Sequence, residues 1–204
     1  AADHLDQRQQ VDRVERVADH AALGVLRLGI ELAGQQPRGA GADDHLGARR
    51  SADPRVQVEL EVELAVVIGK QAKNISKSEV KSHIFGYTVG NDITARDIQF
   101  SDLQWARSKG FDTFCPLGPW IETDFDPTGK RLDSRVHGEQ RQHATTRDMI
   151  FDVETIVSFV SENVTLFPGD IILTGSPAGI SRITHGDAIE CEIEGIGVLH
   201  NQVA

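Results

Sequence analysis

The sequence has little of several things that define whole classes of protein. It has only two cysteines among its 204 residues, Cys115 and Cys191, and they form no CxxC pair. The simple interpretation is two free thiols in a reduced cytoplasm, with a disulfide between them as the alternative. No run of about 18 apolar residues is present, so neither a membrane span nor a membrane partner is expected. The start of the chain also lacks the apolar stretch of a secretory signal.

An excess of positive charge is absent too. The formal net charge is −10 at pH 7, and such a surface repels polyphosphate, which argues against a nucleic-acid partner. Hydrophobic residues make up 39% of the chain and charged residues 25%, a balance typical of a soluble globular protein. The length suggests one domain, or one domain with an appendage.

The first 55 residues contain no Lys, Phe, Tyr, Trp, Thr, Asn, Met or Cys. Residues 11–33 have Val, Leu and Ile at rough helical spacing, whereas residues 36–57 show no period of 2 or 3.6 and are predicted to be loop or disordered. We therefore divide the chain into an atypical N-terminal segment, residues 1–57, and a folded domain, residues 58–204. One hypothesis for the abrupt change is that residues 1–57 are read in a shifted frame of a GC-rich gene.

After the N-terminal segment, short apolar stretches between turn residues dominate, which predicts a β-rich α+β fold. Ile189, Cys191 and Ile193 alternate with Glu190, Glu192 and Glu194, as in a strand with one solvated face. Two helices are indicated by their caps: Ser76 and Glu79 fit a capping box, and Asp152 is a candidate N-cap. The buried stripe of the second helix is expected at Ile156, Val157 and Val160.

The stretch VELEVELAVVIG, residues 58–69, raises a question about charge. Glu59, Glu61 and Glu63 stand at every second position, and side chains two apart in a strand share a face. Three carboxylates on one face of a buried strand repel one another and are costly to bury. One interpretation is an edge strand with a solvated acidic face. The other is a site for a hard divalent cation, magnesium or manganese, which favours carboxylate oxygens.

A metal site needs at least one more ligand, and the candidates lie in the stretch NDITARDIQ. Asp92 ends a hydrophobic strand, whereas Asp97 stands next to Arg96 and is readily explained by an ion pair. The spacing alone does not choose between the two aspartates.

Six segments carry a resemblance to a known family. They are EVELAVVIGK, GYTVGNDITARDIQ, QWARSKGFDTFCPLGPWI, RDMIFDVETIVSFVS, LFPGDIILTGSPAGI and GDAIECEIEGIG, and they follow one another in this order. Together they resemble the C-terminal catalytic domain of the fumarylacetoacetate hydrolase family over about residues 58–204. The resemblance implies a mixed, rolled-up β-sandwich that forms dimers or larger assemblies.

The resemblance also implies a functional site. Glu61, Glu63 and Asp92 would bind Mg²⁺ or Mn²⁺, whereas Glu59, just before the pair, would not bind the metal directly. The residues expected around the substrate are Arg96, Gln99, Lys109 and Ser176 of the TGSP loop. Arg96 offers planar donors to a substrate carboxylate, and Lys109 offers a charge where an enolate oxygen develops. The alternatives are an ion pair between Arg96 and Asp97, and a solvated Lys109 at the surface.

The chemistry implied by the resemblance is the formation of a metal-stabilised enolate from a 2-oxo acid or a 2-hydroxymuconate. We expect C–C bond hydrolysis of the fumarylacetoacetate or acylpyruvate type, with Lys109 as a catalytic residue. The alternatives are isomerisation of 2-hydroxyhepta-2,4-diene-1,7-dioate or 5-carboxymethyl-2-hydroxymuconate, and decarboxylation of oxaloacetate.

The N-terminal segment departs from the family pattern. Family hydrolases often take a histidine base, with a glutamate three residues on, from a lid such as NYADHAAE, and this chain has RVADHAALG. His20 fits the histidine, but Leu23 replaces the glutamate and Val17 the aromatic residue. Without its carboxylate a histidine base loses tautomer control. The alternatives are therefore a solvated His20 and a catalytically impaired protein that binds a metal and a 2-oxo acid.

A homodimer is also expected from the sequence. The stretches IILTG and AVVIG are predicted strands that are too apolar to leave bare.

Overall fold

The structure is a computed structural model, and it describes residues 25–26 and 56–204. Twelve strands lie in this part of the chain: β1 (Val25–Leu26), β2 (Val58–Leu60), β3 (Val62–Ile68), β4 (Ile84–Asn91), β5 (Thr94–Ala95), β6 (Leu117–Glu122), β7 (Arg131–Val136), β8 (Glu139–Thr145), β9 (Ile171–Leu173), β10 (Ser181–Ile183), β11 (Ala188–Ile193) and β12 (Gly197–Gln202). The helices are α1 (Lys77–Val80), α2 (Arg96–Ser101), α3 (Ala106–Lys109) and α4 (Val153–Asn163), with a 3-10 turn at Thr146–Asp148. The β-rich α+β class expected from the sequence is confirmed.

The strands form three antiparallel sheets. Their orders are β1-β9-β3-β4-β6, β10-β2-β5 and β12-β11-β7-β8. One cluster of buried side chains draws on all three sheets and on α4, so the sheets pack against one another around a common core. A smaller cluster covers the other face of the first sheet.

The strand β3 is buried along its whole length. It lies between β9 and β4, and its alternate side chains enter the two hydrophobic clusters on opposite faces of the sheet. The apolar strands in AVVIG and IILTG are therefore covered by neighbouring strands. The argument that their exposure calls for a dimer is wrong, although the dimer itself stays a prediction.

The sequence predicts one strand over residues 58–69, and the structure corrects this to two strands that meet at Glu61. The first of them, β2, pairs with β10 and β5, whereas β3 pairs with β4 and β9. The chain therefore passes from one sheet into another at a glutamate that the sequence singles out.

Both caps predicted from the sequence are present. The backbone N–H of Ser76 donates to the Glu79 carboxylate at 2.9 Å, as a capping box requires. Oδ1 of Asp152 accepts from the N–H of Thr155 at 2.7 Å and begins α4.

The buried face of α4 differs from the predicted stripe. Val157 is buried, but Ile156 and Val160 are only partly buried, and Ser158 and Ser161 face inward instead. The Ser158 hydroxyl donates to the carbonyl of Ile75 at 2.8 Å, and the Ser161 hydroxyl accepts from the Ile75 N–H at 3.1 Å. Hydrogen bonds thus fasten the helix to the segment before α1, which hydrophobic spacing does not predict.

The hairpin of β7 and β8 carries no strand prediction from the sequence. Its turn holds His137 at φ 52° and Gly138 at φ 78°, the left-handed conformations that a tight hairpin turn requires. Asp133 accepts from Arg131 at 2.7 Å and lies 2.6 Å from Nδ1 of His143 across the hairpin. Charged side chains occupy the outer face, so hydrophobic alternation is weak in this stretch.

Several expectations fall outside the described residues. These are most of the helical spacing in 11–33, most of the predicted loop 36–57, and His20 with its altered lid. Within 11–33 the structure describes Val25–Leu26 alone, and these two residues form the strand β1 paired with β9 rather than part of a helix. Across residues 25–26 and 56–204, no helix combines the length and the apolar character needed to cross a bilayer.

Candidate metal centre and active site

Three carboxylates from two segments of the chain meet at one point. Glu61 stands at the junction of β2 and β3, Glu63 lies near the start of β3, and Asp92 follows β4, the antiparallel partner of β3. One oxygen from each side chain lies within 4.8 Å of the other two. The N–H of Asp92 donates to the carbonyl of Glu61 at 2.9 Å and ties the two segments together. The structure thus brings together the three residues that the family resemblance implies as ligands.

The glutamates are buried, and this settles the question of a solvated acidic face. Glu59 and Glu61 are each 8% exposed and Glu63 is 3% exposed. The strand β2, which carries Glu59, lies in the middle of its sheet rather than at an edge. The edge-strand interpretation is therefore wrong.

Burial also changes the protonation of the cluster. Burial, followed by the nearby charge of Asp92, raises the pKa of Glu63 from 4.5 to about 8. Burial likewise raises the pKa of Asp92, although the Lys109 ammonium opposes that shift. Carboxylates this close ionise together readily only when a cation compensates them.

The residues present fit a hard divalent cation. Mg²⁺ and Mn²⁺ favour carboxylate oxygens, and three protein ligands leave coordination positions for water or a substrate. Within the part of the chain that the structure describes, this is the one group of three or more His, Cys, Asp or Glu side chains placed to hold a metal ion.

Lys109, at the end of α3, reaches into the carboxylate cluster. Its Nζ atom lies 2.5 Å from Oδ2 of Asp92, 3.3 Å from Oε2 of Glu61 and 3.0 Å from the hydroxyl of Thr94. Burial alone would lower the pKa of this ammonium, but Asp92 and Glu61 outweigh burial and raise it. Lys109 is therefore a partly buried, protonated amine that donates hydrogen bonds to the cluster, and the alternative of a solvated surface lysine is wrong.

Arg96, the first residue of α2, is held by the glutamates. Its Nε donates to Oε2 of Glu59 at 2.7 Å, its Nη2 donates to Glu61, and its Nη1 donates to Oε1 of Gln99. The alternative that Arg96 pairs with its neighbour Asp97 is wrong, because the exposed Asp97 takes no part in these bonds. The carboxylate of Glu59 bonds Arg96. Glu61 bonds Arg96 through Oε1 and Lys109 through Oε2, so it lies between Arg96 and the centre of the cluster.

The loop after β9 closes over Glu63. The N–H of Gly175 donates to Oε2 of Glu63 at 2.6 Å, and the hydroxyl of Thr174 donates to the carbonyl of Leu64 at 2.9 Å. Gly175 has φ 104°, a conformation that L side chains rarely adopt, so glycine is required where the backbone approaches the carboxylate. The next residue, Ser176, was expected at the substrate, and its hydroxyl accepts from Nε2 of Gln142 at 2.7 Å.

Two site residues carry no sequence signal of their own. Asn91 accepts the N–H of Glu61 at 2.9 Å, and Gln142 accepts the N–H of Val62 at 3.0 Å. Both are fully buried amides from distant parts of the chain, and both bond the backbone of residues 61–63, which we call the ligand segment. A polar residue inside a strand is the sequence signal that could indicate such a role. It does not show which backbone group the side chain bonds.

The family model described as fumarylacetoacetate (FAA) hydrolase C-terminal matches residues 38–204. The chain belongs to the fumarylacetoacetate hydrolase family.

Relatives of this chain carry several names. An uncharacterised protein of Methanocaldococcus jannaschii is 55% identical over 152 residues, covering 74% of this chain and 64% of the relative. The mitochondrial oxaloacetate tautomerase Fahd2a of Rattus norvegicus is 44% identical over 158 residues, covering 72% of this chain and 50% of the relative.

Solved structures agree with the fold. The 5-carboxymethyl-2-hydroxymuconate delta-isomerase of Mycobacterium smegmatis is 47% identical with a TM-score of 0.73, covering 75% of this chain and 61% of that one. The 2-hydroxyhepta-2,4-diene-1,7-dioate isomerase of Mycobacterium marinum is 52% identical with a TM-score of 0.72, covering 75% and 60%. The chain thus spans between half and two thirds of the length of these four relatives.

Proposed function

We propose that the chain is a Mg²⁺- or Mn²⁺-dependent enzyme that forms an enolate from a 2-oxo acid, and that its reaction is keto–enol tautomerisation or double-bond isomerisation. The observation that carries the proposal is the convergence of Glu61, Glu63 and Asp92 within 4.8 Å of one another, beside the ammonium of Lys109. Relatives named for isomerisation and tautomerisation, each matching more than two thirds of this chain, support it.

Each residue of the site has a role in this proposal. A divalent ion held by Glu61, Glu63 and Asp92 would supply Lewis acidity that polarises the keto group of the substrate. Lys109 places a protonated amine where negative charge develops on the enolate oxygen, and a charge fixed in a buried site stabilises that oxygen strongly.

In the proposal, Arg96 does not bind the substrate carboxylate directly, as the sequence led us to expect, and Gln99 binds it instead. Three nitrogens of Arg96 are already bonded to Glu59, Glu61 and Gln99. In the proposal Arg96 therefore orients Glu61 and takes the oxygen of Gln99, so that the Gln99 amide nitrogen is directed to a substrate carboxylate. The Ser176 hydroxyl, on the loop beside Glu63, meets the other end of the substrate.

Hydrolysis of a C–C bond, the reaction favoured by the sequence, is the second candidate. A solved fumarylacetoacetate hydrolase of Exiguobacterium antarcticum is 44% identical to this chain with a TM-score of 0.73, covering 76% of this chain and 59% of that one. Hydrolysis needs a water molecule activated by a base in addition to the enolate. His20 is the candidate base, and it has Leu23 where the orienting glutamate would stand. Proton transfer does not require the N-terminal segment to supply a base that activates water. We therefore rank tautomerisation or isomerisation before hydrolysis.

The test combines binding and turnover. Mg²⁺ and oxalate, a chelating analogue of a 2-oxo acid enolate, are titrated into the protein by calorimetry. Oxaloacetate tautomerisation, hydroxymuconate isomerisation and acylpyruvate cleavage are then followed by absorbance. We expect Mg²⁺-dependent oxalate binding and proton transfer that is faster than cleavage. Absence of metal binding would refute the proposal, and faster cleavage would make hydrolysis the function.

Lys109→Met separates catalysis from metal binding. The proposal expects this variant to keep Mg²⁺ binding and to lose about 10²–10³-fold in kcat, the usual cost of removing a donor to a developing oxyanion. Lys77→Met, an exposed lysine in α1, is the matched control and should match the unaltered protein. Metal and oxalate binding without turnover of any substrate would instead identify a catalytically impaired binding protein.

A further inference from the structure

The side chain of Gln142, in β8, uses its full hydrogen-bonding capacity inside the protein. Its Oε1 accepts from the N–H of Val62 at 3.0 Å and from the hydroxyl of Ser134 at 2.9 Å. Its Nε2 donates to the hydroxyl of Ser176 at 2.7 Å and to the carbonyl of Pro177 at 2.9 Å. A glutamine amide has two donors and two acceptor positions, so all four are satisfied in a residue with no exposed surface.

The bond from Val62 to Gln142 pairs a backbone N–H at the point where the chain passes from one sheet to another. The chain leaves one sheet at Leu60 and enters another at Val62, so the sheet ladders leave the N–H groups at the junction unpaired. The Asn91 side chain accepts the N–H of Glu61 at 2.9 Å, and the Gln142 side chain accepts the N–H of the next residue. An unpaired buried N–H is expensive, so these two amides stabilise the turn between the sheets.

Gln142 differs from Asn91 in reaching a second segment. Through Ser176 and Pro177 it also bonds the loop that follows β9, and that loop contacts Glu63 through the N–H of Gly175 at 2.6 Å. One rigid amide therefore links the segment that carries Glu61 and Glu63 to the loop that carries Ser176. It makes this link from the third sheet, which contributes none of the proposed ligands.

We propose that Gln142 is a positioning residue that fixes the distance between the candidate metal ligands and loop 174–177. The inference rests on the proposed function, because it concerns the same site. Gln142 sets where the Ser176 hydroxyl and the Gly175 N–H stand relative to the carboxylates. When this amide is absent, Ser176 and Pro177 lose their link to the ligand segment, and only the bonds of Thr174 and Gly175 still join the loop to β3. We expect both the metal affinity and the orientation of the substrate to suffer.

The primary variant is Gln142→Met, which keeps the length of the side chain and removes all four bonds. The measurement is Mn²⁺ affinity by electron paramagnetic resonance, without substrate and well below the unfolding temperature, followed by kcat and KM for the best substrate. Partners that orient metal ligands contribute about 10–100-fold to affinity or activity. We expect a loss of this size in Mn²⁺ affinity and a separate fall in kcat.

A second pair of variants keeps the test decisive if Gln142→Met folds poorly. Ser176→Ala removes the loop end of the link, and its hydroxyl is not one of the proposed ligands. It should weaken Mn²⁺ binding in the same direction, which a role in substrate contact alone would not do. Ser161→Ala removes a buried hydroxyl that bonds Ile75 and Ser158, and as the matched control it should leave Mn²⁺ affinity unchanged.

The double variant Gln142→Met/Ser176→Ala measures the link itself. Because both changes break the same connection, the double variant should bind Mn²⁺ within about twofold of Gln142→Met alone. If losses multiply, or if Gln142→Met and Ser176→Ala both bind Mn²⁺ as the unaltered protein does, the inference is overturned while the proposed function stands. If the unaltered protein binds no Mn²⁺, the proposed function fails and the role of Gln142 fails with it.

Discussion

The Nζ atom of Lys109, at the end of α3, lies 2.5 Å from Oδ2 of Asp92, which follows β4. A cation among acidic side chains reduces their repulsion, and here it also carries a proton next to the place where an oxyanion would form. The pair therefore connects the stability of the acidic cluster with its chemistry.

The replacement Asp92→Asn keeps the shape of the side chain and removes one charge from the cluster. We expect it to abolish Mg²⁺-dependent oxalate binding and all turnover, because a neutral amide is a much weaker ligand for a hard cation. Calorimetry with Mg²⁺ and oxalate measures the loss. Glu162→Gln, an exposed position in α4, removes the same charge and serves as the control. Equal binding by the Asp92 and Glu162 variants would contradict the metal site.

The replacement His20→Ala tests the N-terminal segment. His20 lacks the glutamate partner that the family lid provides, so we expect a change in kcat/KM well under the ~10²–10⁴-fold that follows loss of a true general acid or base. Steady-state kinetics with oxaloacetate and an acylpyruvate provide the measurement. A larger loss than that of Asp92→Asn would show that residues 1–57 form a working lid.

Replacing Arg96 should lower the free energy of unfolding. Arg96 is 9% exposed and pairs with Glu59 and Glu61, so Arg96→Met leaves the buried Glu59 without its cation and leaves Glu61 with Lys109 alone. Breaking a buried ion pair from one side costs about 3–5 kcal/mol. Urea unfolding with a chelator present measures this cost. Arg107→Met breaks the solvent-exposed pair with Asp102 and should unfold near the midpoint of the unaltered protein, so equal effects would refute the argument.

The raised pKa of Glu63 predicts how the metal-free protein responds to pH. A carboxyl whose pKa rises from 4.5 to about 8 on folding binds more protons in the folded state between these values, so it lowers stability progressively as pH increases from 4.5 to 8. Glu63→Gln removes this penalty, which is at most about 5 kcal/mol above pH 8. With a chelator present, the Tm of the variant minus that of the unaltered protein should grow between pH 5 and pH 9. A constant difference would show that Glu63 titrates normally.

The two cysteines should resist thiol reagents in the folded protein. Cys115 and Cys191 are both free and buried, so the disulfide alternative is wrong. Burial raises the pKa of each thiol to about 12. Since the thiolate is the reactive species, we expect slow labelling by a chromogenic disulfide in native buffer and rapid labelling of two thiols in denaturant. Rapid native labelling would indicate that the segment around one cysteine opens.

A homodimer remains our expectation for the assembled protein. The apolar strands first invoked for it are covered, but Phe100, Leu103 and Trp105 are 83%, 99% and 60% exposed within one stretch of α2 and the loop before α3. A stable interface buries at least about 1,000 Å² in total. Light scattering at micromolar concentration should give twice the mass of the chain, and a monomer would contradict the prediction.

The features that the sequence predicts well are local or depend on a family pattern. Ser76 and Glu79 stand three residues apart, so their capping box is visible in the sequence alone. The alternation of Glu61 and Glu63 indicates a shared direction, but the ligand set came from the family resemblance. Partners that are far apart in sequence were missed.

Arg96 illustrates the limit in physical terms. Its bonds are to Glu59, which lies 37 residues earlier, rather than to the adjacent Asp97. Gln142 lies 80 residues from its partner Val62. Which buried donor meets which acceptor depends on how the three sheets pack, and neighbouring residues do not determine that.

The order in which the site is built during synthesis follows from these separations. The contact of Lys109 with Glu61 spans 48 residues, whereas the bond from Gly175 to Glu63 spans 112. A ribosome that has released the chain through α3 has delivered both acidic segments and their lysine, but not the loop that caps Glu63. Long-range contacts also close more slowly than short ones. During synthesis, Glu61, Glu63, Asp92 and Lys109 are therefore all present before the glycine whose N–H contacts Glu63 has been added.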